Sequence, residues 1–244
     1  MYLYFIFHVT DNREINLMNR QRTFVIALIS PLLCNSFPAM SAIPIQDGIT
    51  EQTLIFVRHA EKPEAGFGQI NCQGLNRSLA LPKVIKNKYG KPDFIFAPDP
   101  TRKKADFGHF FYYLRPLATI EPTAIYFNMP INIRVGQSES GWLINQLEKP
   151  KYSSAKVLIS WAHHEIMAIT KALMTEYNGE LGQIPEWENT DFDSIYVLKI
   201  VRSEGANQIS FTHDQQGLNG LPLDCPEISL PRSNSLPGRV PDNS

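Results

Sequence analysis

Between residues 53 and 213, short β-favouring runs alternate with stretches of helical spacing. Residues 53–57 (TLIFV) and 157–161 (VLISW) are almost continuously apolar, which predicts strands buried on both faces of a parallel sheet. Residues 93–97 and 131–135 read as two further strands. Asn71 is suited to cap a helix that continues through Gly74, Arg77 and Leu81, with Pro82 restarting or kinking it. Pro116 suits the first turn of a second helix running to about Asn128, and 141–147 predicts a short third. In a fourth helix, from about 165 to 177, Ile166, Ile169, Leu173 and Tyr177 fall on one stripe. The runs 194–202 and 208–213 flank residues 203–207 and predict a terminal hairpin. Residues 99–114 (DPTRKKADFGHFFYYL) have no clean period and read as an insertion loop. The alternation predicts an α/β fold: a three-layer sandwich with a mainly parallel sheet and a C-terminal hairpin.

The two ends follow other patterns. Residues 1–17 fit no domain, and Met18 could be the true start. Asn19, Arg20, Gln21 and Arg22 are followed by an apolar stretch at 24–33 and small residues at 39–42. These are the three parts of a secretory signal, so 1–42 is expected to be removed and the product to be periplasmic or secreted. Beyond Gly217 the chain carries Pro222, Pro226, Pro231, Pro237 and Pro241 among Ser, Asn and Gly. That composition predicts a disordered tail over 217–244 that could drape over the domain at first. One domain over 43–216 is left, roughly 170 to 180 residues and enough for a single core.

Charge narrows the chemistry. The 23 basic and 24 acidic side chains give a net charge of −1, which excludes the broad cationic surface of a general nucleic-acid binder. Any anion must be held by a local cluster of cations. Three cysteines and no CxxC argue against a disulfide scaffold or a zinc knuckle. Cys72 and Cys225 could pair in an oxidising compartment or remain separate thiols. No apolar run approaches the roughly 20 residues of a membrane span. His164-Glu165 is not followed by a histidine at 168, so the HExxH zinc site fails. Gly136 to Ser140 misses GxSxG at its fifth position, and no GxxxxGK[ST] occurs.

Ligands of open α/β sheets bind beyond the carboxyl ends of strands. There the chain places Arg58 and His59 after one predicted strand and His163 and His164 after another. Arg115 sits at a predicted helix start, where backbone N–H groups and the positive dipole end point outward. One histidine at a strand end is usually a hydrogen-bonded surface residue. Two on one edge, with guanidinium groups, describe a phosphate pocket. Arg102, Lys103 and Lys104 read as a solvated basic loop, and His109 to Tyr113 as packing of the insertion. Local cations in such a pocket take the part that metal ions play at other phosphate sites, so neither metal nor cofactor is expected.

The run from Thr53 to Glu61 (TLIFVRHAE) resembles the RHGE signature of the histidine phosphatase (phosphoglycerate-mutase-like) superfamily. Residues 71–81 (NCQGLNRSLAL) resemble its LTxxGxxRAxxL first helix, and 93–98 with 115–124 its DxIxSSPLxRAxxTA segment, opened by 99–114. Residues 157–165 are similar to the strand and loop of its second histidine, and 191–198 to its closing strand. The resemblance spans about 53 to 213 in order. It implies a phosphoglycerate-mutase-like fold, with His59 as the phosphorylated nucleophile and Arg58 as a phosphate-holding arginine. His163 takes the place of the second histidine, with His164 as the alternative. Ala60 stands where the family has Gly, and His164 where a Gly follows its second histidine. Thr119 stands where the family has an arginine, so Arg115 or Arg102 must supply that charge, and Arg115 is the choice. The family's proton-donating acid has no clear match; Glu139 lies in a plausible stretch, while Glu61 and Glu165 could be structural. The implied activity is a phosphohydrolase acting through phosphohistidine on a small phosphorylated substrate or a phosphoprotein. The alternatives are a non-catalytic phosphate-binding domain of the same fold and a phosphomutase.

Overall fold

The first strand, β1 (Thr50–Arg58), sets the layers. Leu54 and Phe56 point to one face of the sheet, Ile55 and Val57 to the other, and all four are fully buried. A strand covered on both faces needs apolar residues at every position, which is why the run is continuous rather than alternating. The computed structural model describes residues 48–227. The expected signal at 1–42, the alternative start at Met18 and the tail from 228 onward lie outside the described residues.

After β1 come α1 (Cys72–Tyr89), β2 (Phe94–Pro98), β3 (Lys103–Asp106), β4 (His109–Tyr112) and α2 (Arg115–Phe127). The chain continues through β5 (Ile131–Val135), α3 (Ser140–Leu147), β6 (Lys156–Trp161), α4 (His163–Glu176), β7 (Ser194–Ser203) and β8 (Ala206–Gln215). The main sheet has six strands in the order β5-β2-β6-β1-β7-β8. The first four run parallel, while β7 is antiparallel to β1 and β8 to β7. Ile55, Val57, Ile95 and Leu158 pack with Leu81 and Ile85 of α1 and Ile120 and Ala124 of α2. Leu54, Phe56, Ile159 and Leu198 pack on the opposite face with Leu143 of α3 and Ile166, Ile169 and Leu173 of α4. The expected α/β sandwich, mainly parallel with a terminal hairpin, is therefore the fold observed.

Two local expectations need correction. Residues 99–114 are not an irregular loop: β3 and β4 form a hairpin, a sheet separate from the first. Its turn places Phe107 at φ 48° and Gly108 at φ 80°. Two positive φ values suit the right-handed twist of a tight hairpin, but Phe is a poor signal for that turn. The fourth helix starts at His163, two residues earlier than its apolar stripe suggests, so both histidines belong to its first turn. The tail expected from 217 is draped along α1 as far as the described residues extend. The Asn76 side chain donates to the carbonyls of Pro222 (2.9 Å) and Asp224 (2.8 Å). Cys72 and Cys225 form a disulfide. A cross-link between points 153 residues apart removes about 5 kcal/mol of unfolded-chain entropy in the loop-closure account.

The site edge of the sheet is tied together by a buried cation. Arg77, only 1% exposed, forks onto Glu61 with contacts of 2.8–3.0 Å and reaches Asp193 at 3.0 Å and Gln216 at 3.1 Å. Glu61 lies on the loop after β1, Asp193 directly before β7 and Gln216 directly after β8. Asp193 also accepts the N–H groups of Gly217 and Leu218, so every carboxylate oxygen of that residue is occupied. Gly74 permits the arrangement: a Cβ there would lie 2.5 Å from the Glu61 carbonyl oxygen. Replacing Arg77 by Met removes the cation and leaves two buried carboxylates uncompensated. Arg77→Met should lose about 3–5 kcal/mol of unfolding free energy in denaturant titrations. A loss below about 1 kcal/mol would show that the pair is solvent-relaxed rather than structural.

Candidate active site

β1 and β6 end side by side. The Arg58 register partner is Trp161, and the His59 N–H donates to the Trp161 carbonyl at 2.9 Å. Adjacent parallel strands thus deliver Arg58 and His59 from one, and His163 one residue beyond Ala162 from the other, to the same edge. A cavity of about 390 Å³ opens there, lined by Arg58, His59, Arg115 and His163 together with Lys62, Lys104, Asp106, Tyr113, His164 and Asn189. The four site residues expected from sequence therefore share one wall system. Lys104, Asp106 and Asn189 were not expected in it.

His59 is 5% exposed. Its Nδ1 lies 2.8 Å from the Ala60 carbonyl oxygen. A carbonyl can only accept, so Nδ1 carries the proton and Nε2 keeps the lone pair. Burial holds the imidazole pKa well below the usual histidine value; the Ala60 hydrogen bond opposes it, and the Arg115 and Arg58 charges add to the lowering. The ring is thus neutral, of fixed tautomer, with its lone pair on Nε2. Thr119 steadies this loop: its Oγ1 accepts the Ala60 N–H at 2.8 Å and donates to the Arg115 carbonyl at 2.8 Å. Thr119 thereby joins the loop after β1 to the helix that carries Arg115.

Both guanidinium groups are held from behind. Arg58 Nη1 donates to the carbonyls of Glu188 (3.2 Å), Asn189 (2.9 Å) and Asp191 (2.7 Å), and its Cζ sits 4.0 Å from the Phe192 ring centre. Burial lowers its pKa to about 10, so it stays charged at neutral pH. Arg115 Nη1 pairs with Asp106 at 2.6 Å. Burial pushes the Asp106 carboxyl up, but Arg115, the Gly68 N–H and Lys62 outweigh it and hold the group below its usual value. Asp106 is an anion that positions Arg115. Arg58 Nε, Arg115 Nε and His163 Nδ1 are buried with no hydrogen-bond partner. All three belong to residues that line this one cavity, and each such atom costs about 1–3 kcal/mol if left bare.

The helix-terminus expectation shifts from one helix to another. At α2 the N–H groups of Leu114 and Arg115 are taken by the Gly68 carbonyl, at 2.9 and 3.0 Å, so this terminus offers an anion its side chain rather than its backbone. At α4 no side chain caps the first turn, and His163 and His164 open it at the cavity. His163 is pushed down to about 4 by burial, then by Arg58 and His164. It is therefore neutral in the open cavity, and an arriving phosphate dianion would raise its proton affinity. The His164 side chain is 53% exposed, so His163 is the better-enclosed histidine.

The other candidates fall outside. Arg102 is 59% exposed at its side chain and pairs with Glu139 at 3.2 Å and Asp99 at 3.6 Å. Glu139 accepts the Gly136 N–H at 3.0 Å and does not line the cavity. Glu61 belongs to Arg77. Among the described residues lining the cavity, the one carboxylate is Asp106. Among the described residues no cluster of His, Cys, Asp and Glu is suited to a metal ion, and no helix is long and apolar enough to cross a membrane.

No protein-family model matches the chain, and no curated protein matches it. Among solved structures, the chain is similar to the protein histidine phosphatase SixA complexed with tungstate (13% identity, 67% of this chain and 97% of that one, TM-score 0.49). It is also similar to a mycobacterial glucosyl-3-phosphoglycerate phosphatase with inorganic phosphate (11%, 66% and 95%, TM-score 0.44). A third is phosphoserine phosphatase from Entamoeba histolytica with 3-phosphoglyceric acid (11%, 67% and 98%, TM-score 0.42). At these identities and TM-scores the likenesses assign no activity to this chain.

All three cavity histidines, His59, His163 and His164, have folded-state pKa values below the unfolded value near 6.5. The unfolded chain therefore binds more protons between about pH 6.5 and 4, and stability should fall as pH is lowered through that window. In ring-nitrogen NMR spectra, His59 and His163 should remain neutral from about pH 8 down to pH 5.5. A full titration of either ring near its ordinary value would refute the described electrostatics.

Proposed function

We propose that the chain is a phosphohydrolase of the histidine phosphatase type, working through a phosphohistidine on His59. The observation that carries the reading is a neutral, tautomer-fixed imidazole that shares one cavity wall with the guanidinium groups of Arg58 and Arg115 and the ring of His163. Phosphoryl transfer needs an in-line nucleophile and charge around three equatorial oxygens. His59 Nε2 attacks phosphorus, the bond to the leaving oxygen breaks, and the phosphoryl rests on the ring. Water then opens the phosphohistidine and returns the imidazole. Arg58 and Arg115, already braced by carbonyls and by Asp106, hold the oxygens at little further entropic cost. His163 adds a donor once the dianion has drawn a proton to it. The substrate expected is a small phosphorylated compound or a phosphoprotein.

A kinetic series on p-nitrophenyl phosphate, run in excess chelator, tests these roles. His59→Ala should abolish turnover while the fold persists; activity within about tenfold of wild type, roughly 1.4 kcal/mol of barrier, would remove His59 from the chemistry. Arg115→Ala should lose about 2–4 kcal/mol of transition-state binding, roughly 30- to 1,000-fold in kcat/KM. Arg102→Ala, whose charge is already spent on Glu139 and Asp99, should stay within about threefold. The reverse order for the two arginines would overturn the assignment of Arg115.

We also propose export. The signal-like segment motivates it, and the Cys72–Cys225 disulfide supports an oxidising compartment. The mature chain from a native host should begin near Ile43 on N-terminal sequencing. An intact Met18 on soluble cytosolic protein would contradict it.

A further inference from the structure

A second cavity, of about 200 Å³, adjoins the first and shares Lys104 and Tyr113 with it. It lies between the β3–β4 hairpin and the turn after β5, with Gln137 on its far wall. Trp161, the last residue of β6, fixes that turn by donating its indole N–H to the Gln137 carbonyl at 2.8 Å. Gln137 is 6% exposed, yet its Nε2 has no hydrogen-bond partner. Its Oε1 is already engaged by the Ser138 hydroxyl at 3.0 Å, so what it offers the cavity is a donor. Lys104 Nζ lies 5.0 Å from the Tyr113 ring centre and enters no ion pair among the described residues. Burial and then Arg115 push its pKa down, while the Glu165 and Asp106 charges oppose the shift. Glu139, the only carboxylate lining this cavity among the described residues, is occupied by Arg102 and by the Gly136 N–H.

An unpartnered buried donor on the same cavity as a lysine with no ion pair among the described residues describes a seat for a second anion. The first cavity adds a constraint of its own. Asp106 is bound to Arg115 as an anion, so no carboxylic acid stands ready to protonate a departing alkoxide. A leaving group that departs as a stable anion needs no such proton. We infer, on the phosphatase reading above, that the scissile phosphoryl is the end group of a phosphoanhydride, with the leaving phosphate seated between Lys104 and Gln137. His59 Nε2 forms the bond to the terminal phosphorus, and the bridging P–O bond breaks with its electron pair on the leaving phosphate. Water then attacks the phosphohistidine, so one anhydride and one water give two phosphates. The hairpin over 99–114 thereby acquires a role: through Lys104 it carries one wall of the leaving-group site.

Methyl diphosphate and p-nitrophenyl phosphate both expel a weakly basic oxyanion, but only the first places a second phosphate beside the scissile one. The full chain should prefer methyl diphosphate in kcat/KM by about tenfold or more, as a charge-assisted contact would give. Lys104→Met and Gln137→Leu should each collapse that ratio toward one. Lys91→Met, the same charge change on an exposed residue before β2, should leave it alone. Calorimetry with methylenebisphosphonate and methylphosphonate reads the second seat without turnover. The bisphosphonate should bind about tenfold tighter to the wild type, and the advantage should shrink in both variants. Equal use of the two substrates, or a ratio unmoved in both variants, overturns the inference while leaving the phosphatase reading intact. Tight bisphosphonate binding with no turnover of either substrate would sink the phosphatase reading and spare the anion seat.

Discussion

Arg77 is the buried cation on which the working edge of the molecule depends. Its guanidinium joins the loop that follows the nucleophile, through Glu61, to the start of β7 and the end of β8, through Asp193 and Gln216. Charges taken this far from water are favourable only when every lone pair and proton is matched, and here the carboxylates are matched by further N–H groups. The consequence reaches function in two steps. Holding Glu61 fixes the path of the chain just beyond His59. Holding Asp193 fixes the end of the 188–192 stretch, whose carbonyls brace Arg58.

Inside the cavity the dominant effect is the contest between burial and charge. Arg58 remains cationic because burial lowers it only to about 10. The histidines start much lower, so the same burial, reinforced by those guanidinium groups, keeps them neutral. One environment thus yields permanent cations beside a deprotonated ring, the pairing that the proposed phosphoryl transfer requires. Asp106 keeps the balance from swinging too far, since it anchors Arg115 without titrating near neutral pH.

The layered fold could be read from the chain because burial on two faces leaves a continuous apolar run, and a cap such as Asn71 leaves a side-chain signature. Arg58, His59, Arg115 and His163 could be placed for the same reason: strand ends and helix starts are legible. What escaped was written in partners that carry no distinctive residue. The carbonyls that hold Arg58 belong to 188–191, a stretch without periodicity. Lys104 looked like one of a solvated charge run because the β3–β4 turn uses Phe107 at positive φ instead of an Asn-Gly pair. The Cys72–Cys225 disulfide joins residues that no local pattern brings near each other.

The central claim is that a covalent phosphoryl-enzyme forms on His59. Rapid quenching of the enzyme with radiolabelled substrate under alkaline conditions, followed by peptide mapping, addresses it directly, because phosphohistidine survives base and is lost in acid. The account predicts acid-labile label on the peptide containing His59, appearing before steady-state product release. Label on the peptide containing His163, or turnover with no chain-bound phosphoryl at any time, would contradict it.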